Sequence, residues 1–79
     1  MTEHIRDLLQ TLPDHPGVYI MRDGEGLVIY VGKAVSLKNR VRQYFHGQHA
    51  PKVAAMVEHI ASFDYILTDS ELEAFILEC

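Results

Sequence analysis

Hydrophobic residues recur along this chain at two different spacings. Near the start, apolar residues lie three or four positions apart, which predicts a helix that ends before Pro13: Ile5, Leu8, Leu9 and Leu12. Two largely apolar runs follow, at residues 18–22 and 27–31, and the turn sequence DGEG separates them. This pattern is typical of two strands joined as a β-hairpin.

Four more elements are predicted beyond the hairpin. Ser36 is a suitable N-cap for a second helix, and Pro51 suits the first turn of a third. Residues 63–68 predict a third strand, and Ser70 with Glu73 forms a capping box that opens a last helix. The order is therefore α-β-β-α-α-β-α. We expect an α+β fold in which the strands form a small meander with the helices to the side.

Length and composition bound the possible classes of protein. A chain of 79 residues makes one small domain, and its 48% hydrophobic and 23% charged residues are ordinary for a globular protein. The single cysteine, Cys79, excludes an internal disulfide. The sequence shows no signal peptide, and no apolar run approaches the roughly 20 residues of a membrane span. These features predict a cytoplasmic protein.

Charge is distributed unevenly along the chain. The net charge of −4 argues against a nucleic-acid partner when it is taken as an average. However, no acidic residue occurs between Glu25 and Glu58, and this segment holds most of the basic residues: Lys33, Lys38, Arg40, Arg42 and Lys52. Such a segment predicts a surface that faces anions, most simply phosphate. The alternative is a solvated helix that happens to be basic.

Each strand of the predicted hairpin carries a tyrosine. If the turn is centred on Gly24 and Glu25, Tyr19 lies directly opposite Tyr30 on one exposed face of the sheet. Gly32 would then end the second strand and leave room for something to approach the backbone, with Lys33 at the rim. The alternative is a cross-strand aromatic pair with a purely structural role.

The following helix adds two more polar side chains. Arg40 and Tyr44 are four residues apart, so they share a helix face beside the apolar positions Leu37 and Val41. Packing of that face on the sheet would bring them to the tyrosines. Arginine binds phosphate oxygens, and a lysine beside a phenol lowers its pKa so that the phenolate can accept a proton. The set suits hydrolysis of a phosphodiester.

Three segments carry a resemblance to a known family. The sequences PGVYIM, VIYVGKAVSLKNRVRQYF and ELEAFILE resemble those of the GIY-YIG nuclease superfamily and, within it, the family of UvrC N-terminal domains. The resemblance implies a small three-stranded antiparallel sheet flanked by helices, with residues 1–79 as a single domain from the N-terminal part of a longer protein. It also implies a metal-dependent DNA endonuclease that cuts on the 3′ side of a lesion in bacterial nucleotide excision repair. The full-length protein would work with UvrB and, indirectly, with UvrA.

The resemblance also implies roles for individual residues. It makes Glu78 the ligand of one Mg²⁺ or Mn²⁺ ion. Tyr19, slightly favoured over Tyr30, would take a proton from the attacking water, and Lys33 would lower the pKa of that phenol. The implied catalytic set is Tyr19, Tyr30, Lys33, Arg40 and Tyr44. From the charge pattern, we expect the DNA backbone to contact Lys38, Arg42 and Lys52.

Two other functions stay open at this point. A stand-alone GIY-YIG nuclease would share the chemistry but not the partners, and a non-catalytic module that binds nucleic acid would need only the basic segment. His46 and His49 have a spacing that metal ligands use, but structural zinc requires four ligands. We therefore expect these two histidines to be ordinary loop residues.

Overall fold

Three helices and three strands make up residues 2–69, the part of the chain that the computed structural model describes. The elements are α1 (Glu3–Thr11), β1 (Gly17–Arg22), β2 (Val28–Ala34), α2 (Leu37–Tyr44), α3 (Pro51–Glu58) and β3 (Ser62–Leu67). Their order matches the predicted order as far as β3. The predicted last helix, which would begin after Ser70, lies outside the described residues.

The strands form one antiparallel sheet in the order β2-β1-β3. The predicted α+β class with a three-stranded antiparallel sheet is confirmed. The meander is wrong, because β3 pairs with β1 and not with β2. The burial of the strands explains this order: four of the six residues of β1 are buried and it takes the centre, whereas only two of the seven residues of β2 are buried and it forms an edge.

The turn between β1 and β2 is held by Asp23. Its carboxylate accepts hydrogen bonds from the backbone N–H groups of Glu25 and Leu27, at 2.9 and 3.0 Å. The backbone N–H of Gly26 donates to the carbonyl of Asp23 at 3.0 Å, and Gly26 has a φ of 84°, which favours glycine. Because the N–H of Asp23 donates to the carbonyl of Leu27, these two residues close the loop.

A β-bulge in β2 then changes the register of the hairpin. Arg22 pairs with Val28 but Met21 pairs with Tyr30, so Ile29 is an extra residue. Tyr19 consequently pairs with Gly32, and the predicted direct pairing with Tyr30 is wrong by two residues. Since side chains alternate between the two faces of a sheet, a shift of two leaves both tyrosines on the same face.

The helices are capped and anchored largely as the sequence predicts. The Ser36 side chain accepts a hydrogen bond from the N–H of Asn39 at 3.3 Å, and Pro51 lies at the start of α3. In α2, Leu37 and Val41 are completely buried. They join the hydrophobic core between one face of the sheet and the helices: Ile5, Leu9, Leu12, Tyr19, Met21, Ala34, Ile60 and Phe63. No helix within residues 2–69 is long and apolar enough to span a bilayer.

Candidate active site

Three tyrosines from three different elements pack against one another. Tyr19 comes from β1, Tyr30 from β2 and Tyr44 from the end of α2. Their ring centroids are 6.1 Å apart for Tyr19 and Tyr30, 5.7 Å for Tyr19 and Tyr44, and 6.2 Å for Tyr30 and Tyr44. We call these residues the tyrosine cluster. The sequence placed all three together, although through the wrong register.

Exposure differs sharply within the tyrosine cluster. Tyr30 is 41% exposed, whereas only 1% of Tyr19 is exposed. The expectation that Tyr19 lies on an exposed face is therefore wrong. The reason is that Tyr19 occupies the central strand under α2, with Leu37 and Val41 in the same core cluster.

Gly32 makes room for the ring of Tyr19 on one face of the sheet. The prediction that Gly32 ends the second strand is wrong, because β2 continues to Ala34. A Cβ atom at Gly32 would overlap the Cζ and hydroxyl oxygen of Tyr19. The missing side chain therefore makes room for this phenol, not for a substrate.

The hydroxyl groups of Tyr19 and Tyr44 form a hydrogen bond of 2.8 Å, in which either oxygen could donate. Burial raises the pKa of Tyr19 well above its ordinary value, and Tyr44 adds to this increase while Arg40 opposes it. The expected decrease in the pKa of Tyr19 is therefore wrong. Arg40 is the cation that acts to lower the pKa of this phenol.

The Cβ of Lys33 points to the face of the sheet opposite the tyrosine cluster. It pairs with Val18 in the register, whereas Tyr19 pairs with Gly32. Because neighbouring residues of a strand point to opposite faces, the Cβ of Lys33 leaves the sheet away from Tyr19 and Tyr30. The side chain is partly exposed. The Cβ of Lys33 therefore lies on the opposite face of the sheet from the tyrosines with which it was predicted to act.

Arg40 is held beside the tyrosine cluster by α2. Leu37, Val41 and Tyr44 lie on the buried stripe of the helix, and Arg40 lies on one flank of this stripe. A cavity of about 170 Å³ opens there, which we call the arginine cavity; it is lined by Arg40, Gln43, Tyr44 and His49. The predicted approach of Arg40 and Tyr44 to the tyrosines is thus present in the structure.

Two residues of the arginine cavity were not among the predicted site residues. Gln43 lies one turn after Arg40, so helical spacing could have found it. His49 comes from the loop before α3, and no local pattern places it there. Its Nε2 donates to the backbone carbonyl of Tyr44 at 3.1 Å, since a carbonyl oxygen can only accept. The histidine therefore closes the end of α2 against the following loop.

The predicted DNA-binding residues lie away from the arginine cavity. Lys38 and Arg42 share a flank of α2 that faces away from Arg40, because successive helical residues are about 100° apart. Lys52 is exposed near the start of α3. Glu78 lies outside the described residues. Within residues 2–69, no three His, Cys, Asp or Glu side chains form a group that could hold a metal.

Comparison with known proteins identifies the family. The family model for the UvrC-like GIY-YIG domain matches residues 15–79. UvrABC system protein C from Moorella thermoacetica is 65% identical over 75 residues, and that from Acetivibrio thermocellus is 65% identical over 77 residues. Each match covers 95% of this chain and only 12% of the relative. The chain therefore spans about an eighth of the length of these relatives.

Solved structures of a related domain share the fold. The GIY-YIG N-terminal endonuclease domain of UvrC from Thermotoga maritima, with magnesium as its catalytic divalent cation, is 42% identical to this chain. The match has a TM-score of 0.85 and covers 99% of this chain and 85% of that domain. A Tyr→Phe variant of the same domain, also bound to its catalytic cation, matches with a TM-score of 0.85 and 41% identity. This chain belongs to the family of UvrC-like GIY-YIG domains.

Proposed function

We propose that this chain is the endonuclease domain of a longer UvrC-type protein and hydrolyses a DNA phosphodiester on the 3′ side of a lesion. The observation that carries this proposal is the tyrosine cluster beside the arginine cavity. Hydroxyl groups and a guanidinium lie within one small region, where a phosphate could meet both hydrogen-bond donors and positive charge. The family match and the magnesium-bound structural relative support the same reaction.

The three tyrosines have different roles in proton transfer. Burial and a raised pKa keep Tyr19 protonated at neutral pH, so it is a poor first acceptor for the proton of the attacking water. Tyr30 is 41% exposed and reaches solvent from the same cluster. We therefore assign the acceptor role to Tyr30 and not to Tyr19, which we slightly favoured from the sequence. Tyr19 and Tyr44 position this group through their packing and shared hydrogen bond.

Arg40 neutralises charge on the phosphate. Its guanidinium is exposed on α2 and lines the arginine cavity, and it offers a planar pair of donors to phosphate oxygens. Gln43 and His49 line the same cavity and can hydrogen-bond to the DNA backbone. The Cβ of Lys33 points to the far face of the sheet. In this proposal Lys33 therefore supplies charge for DNA binding and does not activate a phenol.

The donors at this site fit a magnesium ion. Mg²⁺ prefers oxygen ligands and is commonly held by one or two carboxylates together with water and substrate. The described donors at the tyrosine cluster are hydroxyl oxygens, so the carboxylate has to come from elsewhere, and Glu78 is the candidate. When bound, such an ion stabilises charge on the leaving oxygen. The Tyr→Phe variants of the Thermotoga maritima domain are described with their cation bound, which supports a role for the phenols other than holding it.

The partners follow from the same proposal. DNA contacts the basic segment, including Lys38, Arg42 and Lys52, and UvrB engages the full-length protein, with UvrA acting indirectly. The relatives are components of the UvrABC system, which supports these partners. We place the reaction in the cytoplasm, where bacterial DNA is repaired.

Arg40 provides the test of this function. In the full-length protein, supplied with UvrA, UvrB and lesion-containing DNA, Arg40→Ala should reduce 3′ incision by about 10²–10³-fold, since one donor to the transition state is lost. Binding of DNA should change little. Arg6→Ala is the control, because it removes the same charge from α1, outside the basic segment. Equal incision by the two variants would refute the assignment of the site.

A further inference from the structure

A second cavity adjoins the arginine cavity. It measures about 450 Å³, a size typical of pockets that hold small organic groups. Phe45, Ala54 and Val57 give it an apolar wall, and Tyr44 and His49 belong to both cavities. We call it the apolar cavity. It lies between the end of α2 and α3, and the mechanism above makes no use of it.

We propose that the apolar cavity holds an unstacked nucleobase of the DNA strand that is cut, next to the phosphate bound at Arg40. The proposal rests on the proposed function and adds to it a base-binding subsite. Its occupant is one base of the substrate, turned out of the helical stack. Phe45, Ala54 and Val57 contact that base, and His49 separates it from the phosphate.

The connection between the two cavities favours a single nucleotide as the ligand. A phosphate beside Arg40 and a base in the apolar cavity would lie on either side of Tyr44 and His49, the two residues that both cavities share. An intact duplex presents phosphates and groove edges to a protein, and its apolar base faces are covered by stacking. A concave apolar wall beside a phosphate site is therefore filled by a base that has left the stack.

Charge favours nucleic acid over an acidic peptide at this place. The whole sequence between Glu25 and Glu58, which includes every residue that lines the two cavities, contains no carboxylate. Polar groups at the apolar cavity also suit the edge of a base. Gln48 brings an amide that can both donate and accept, and His49 keeps Nδ1 after its Nε2 has bonded to Tyr44.

The test combines removal of a base with filling of the cavity. In the full-length protein with UvrB, affinity for lesion-containing duplexes is measured by fluorescence anisotropy in EDTA, so that no strand is cut. Each duplex carries one abasic residue at a different position near the incised bond. We expect one position, within about two nucleotides of the cut, to weaken binding by at least about fivefold, the lower end of the loss for one stacked base.

Ala54→Phe fills the apolar cavity, and Ala55→Phe is its matched control on the exposed side of the same helix. Ala54→Phe should reduce the affinity for intact DNA by the same factor. It should not reduce the affinity for the sensitive abasic duplex any further, whereas Ala55→Phe should bind both duplexes like the parent protein. Equal losses of affinity for Ala54→Phe on both duplexes would overturn the proposal, because the substitution would then act through the structure of the protein and not through a bound base.

The proposal and the proposed function fail in different ways. If the parent protein binds and incises DNA but no abasic position weakens binding, the base-binding subsite is refuted and the endonuclease function stands. A loss of UvrB binding in Ala54→Phe, with no sensitive position, would assign the cavity to a protein segment and would equally refute the subsite. Absence of lesion-dependent incision by the parent protein would refute the function itself. The abasic series on the parent protein decides the matter even if Ala54→Phe does not fold.

Discussion

The hydroxyl oxygen of Tyr19 lies 2.8 Å from that of Tyr44, and this contact joins the hydrophobic core to the candidate active site. Tyr19 is 1% exposed, whereas Tyr44 is half-buried and lines both cavities. With this bond in place, no buried side-chain polar atom among residues 2–69 lacks a partner. The two phenols thus depend on each other to different degrees.

The asymmetry predicts different costs for the two Tyr→Phe variants. Tyr44→Phe leaves the buried hydroxyl of Tyr19 without its partner, and should lower the free energy of unfolding by about 1–3 kcal/mol. Tyr19→Phe should cost about 0.5–1.5 kcal/mol, because the hydroxyl of Tyr44 can turn to water. Urea unfolding of both variants measures the difference. A larger loss in Tyr19→Phe would contradict the burial pattern.

Tyr19 also predicts how stability depends on alkaline pH. Folding raises its pKa above the ordinary 10.0, so the unfolded chain releases this proton first. Stability should therefore be unaffected by this group below about pH 9 and should fall above pH 10, by up to about 1.4 kcal/mol per pH unit. Urea unfolding between pH 8 and pH 11 checks this. In Tyr19→Phe the decrease should be correspondingly smaller.

Gly32 predicts a steric effect at the same ring. Gly32→Ala places a methyl group against the Cζ and hydroxyl oxygen of Tyr19, at a buried position of β2. We expect a loss of about 1–3 kcal/mol in the free energy of unfolding, as in overpacked cores. Gly24→Ala is the control, since a Cβ at Gly24 meets no atom within 4 Å. Similar stabilities for the two variants would show that Tyr19 can move away at little cost.

The fold could be predicted from sequence wherever the information is local. Ser36 and Pro51 mark helix starts through their own chemistry, and the spacing of Leu37 and Val41 identifies the buried face of α2. The strand order could not be predicted in this way. It depends on which strand is buried on both faces, and this is a property of the assembled sheet.

For the candidate site, too, only local relationships between residues could be predicted from the sequence. Helical spacing brought Arg40 and Tyr44 together, and the family resemblance supplied Glu78. Lys33 was misplaced, because the sequence suggested that the strand ended at Gly32, whereas one more alternation takes its Cβ to the other face. His49 was missed because its place depends on the path of a loop, which no spacing rule describes.

DNA binding by the basic segment predicts a dependence on salt. Each phosphate contact by lysine or arginine contributes about −0.9 to the slope of log K against log salt concentration on duplex DNA. Lys38→Ala and Arg42→Ala should each reduce the magnitude of the slope by roughly this amount, for all sequences alike. Arg6→Ala, in α1 and outside the basic segment, should leave the slope unchanged. An unchanged slope in Arg42→Ala would exclude a phosphate contact at that side chain.

Glu78 predicts the behaviour of the metal. Glu78→Gln in the full-length protein should weaken Mn²⁺ binding, followed by calorimetry, and should reduce incision by at least about 10²–10³-fold. Glu58→Gln is the control, since it removes an exposed carboxylate at the end of α3. If Glu78→Gln binds Mn²⁺ as tightly as the parent protein, the ion is held by other residues.

Because of the bulge at Ile29, the tyrosine cluster tolerates changes in the length of the hairpin only by an even number of residues. The loop closed by Asp23 and Leu27, continued without the bulge, would set Tyr19 opposite Val31 and send Tyr30 to the other face. The single extra residue, Ile29, returns Tyr30 to the face that carries Tyr19. Insertions or deletions of two residues in this hairpin therefore keep the tyrosine cluster together, whereas a change of one residue divides it unless a second bulge compensates. The number of residues between the two tyrosines of a relative, taken together with the length of its turn, therefore tells whether its hairpin needs a bulge of this kind.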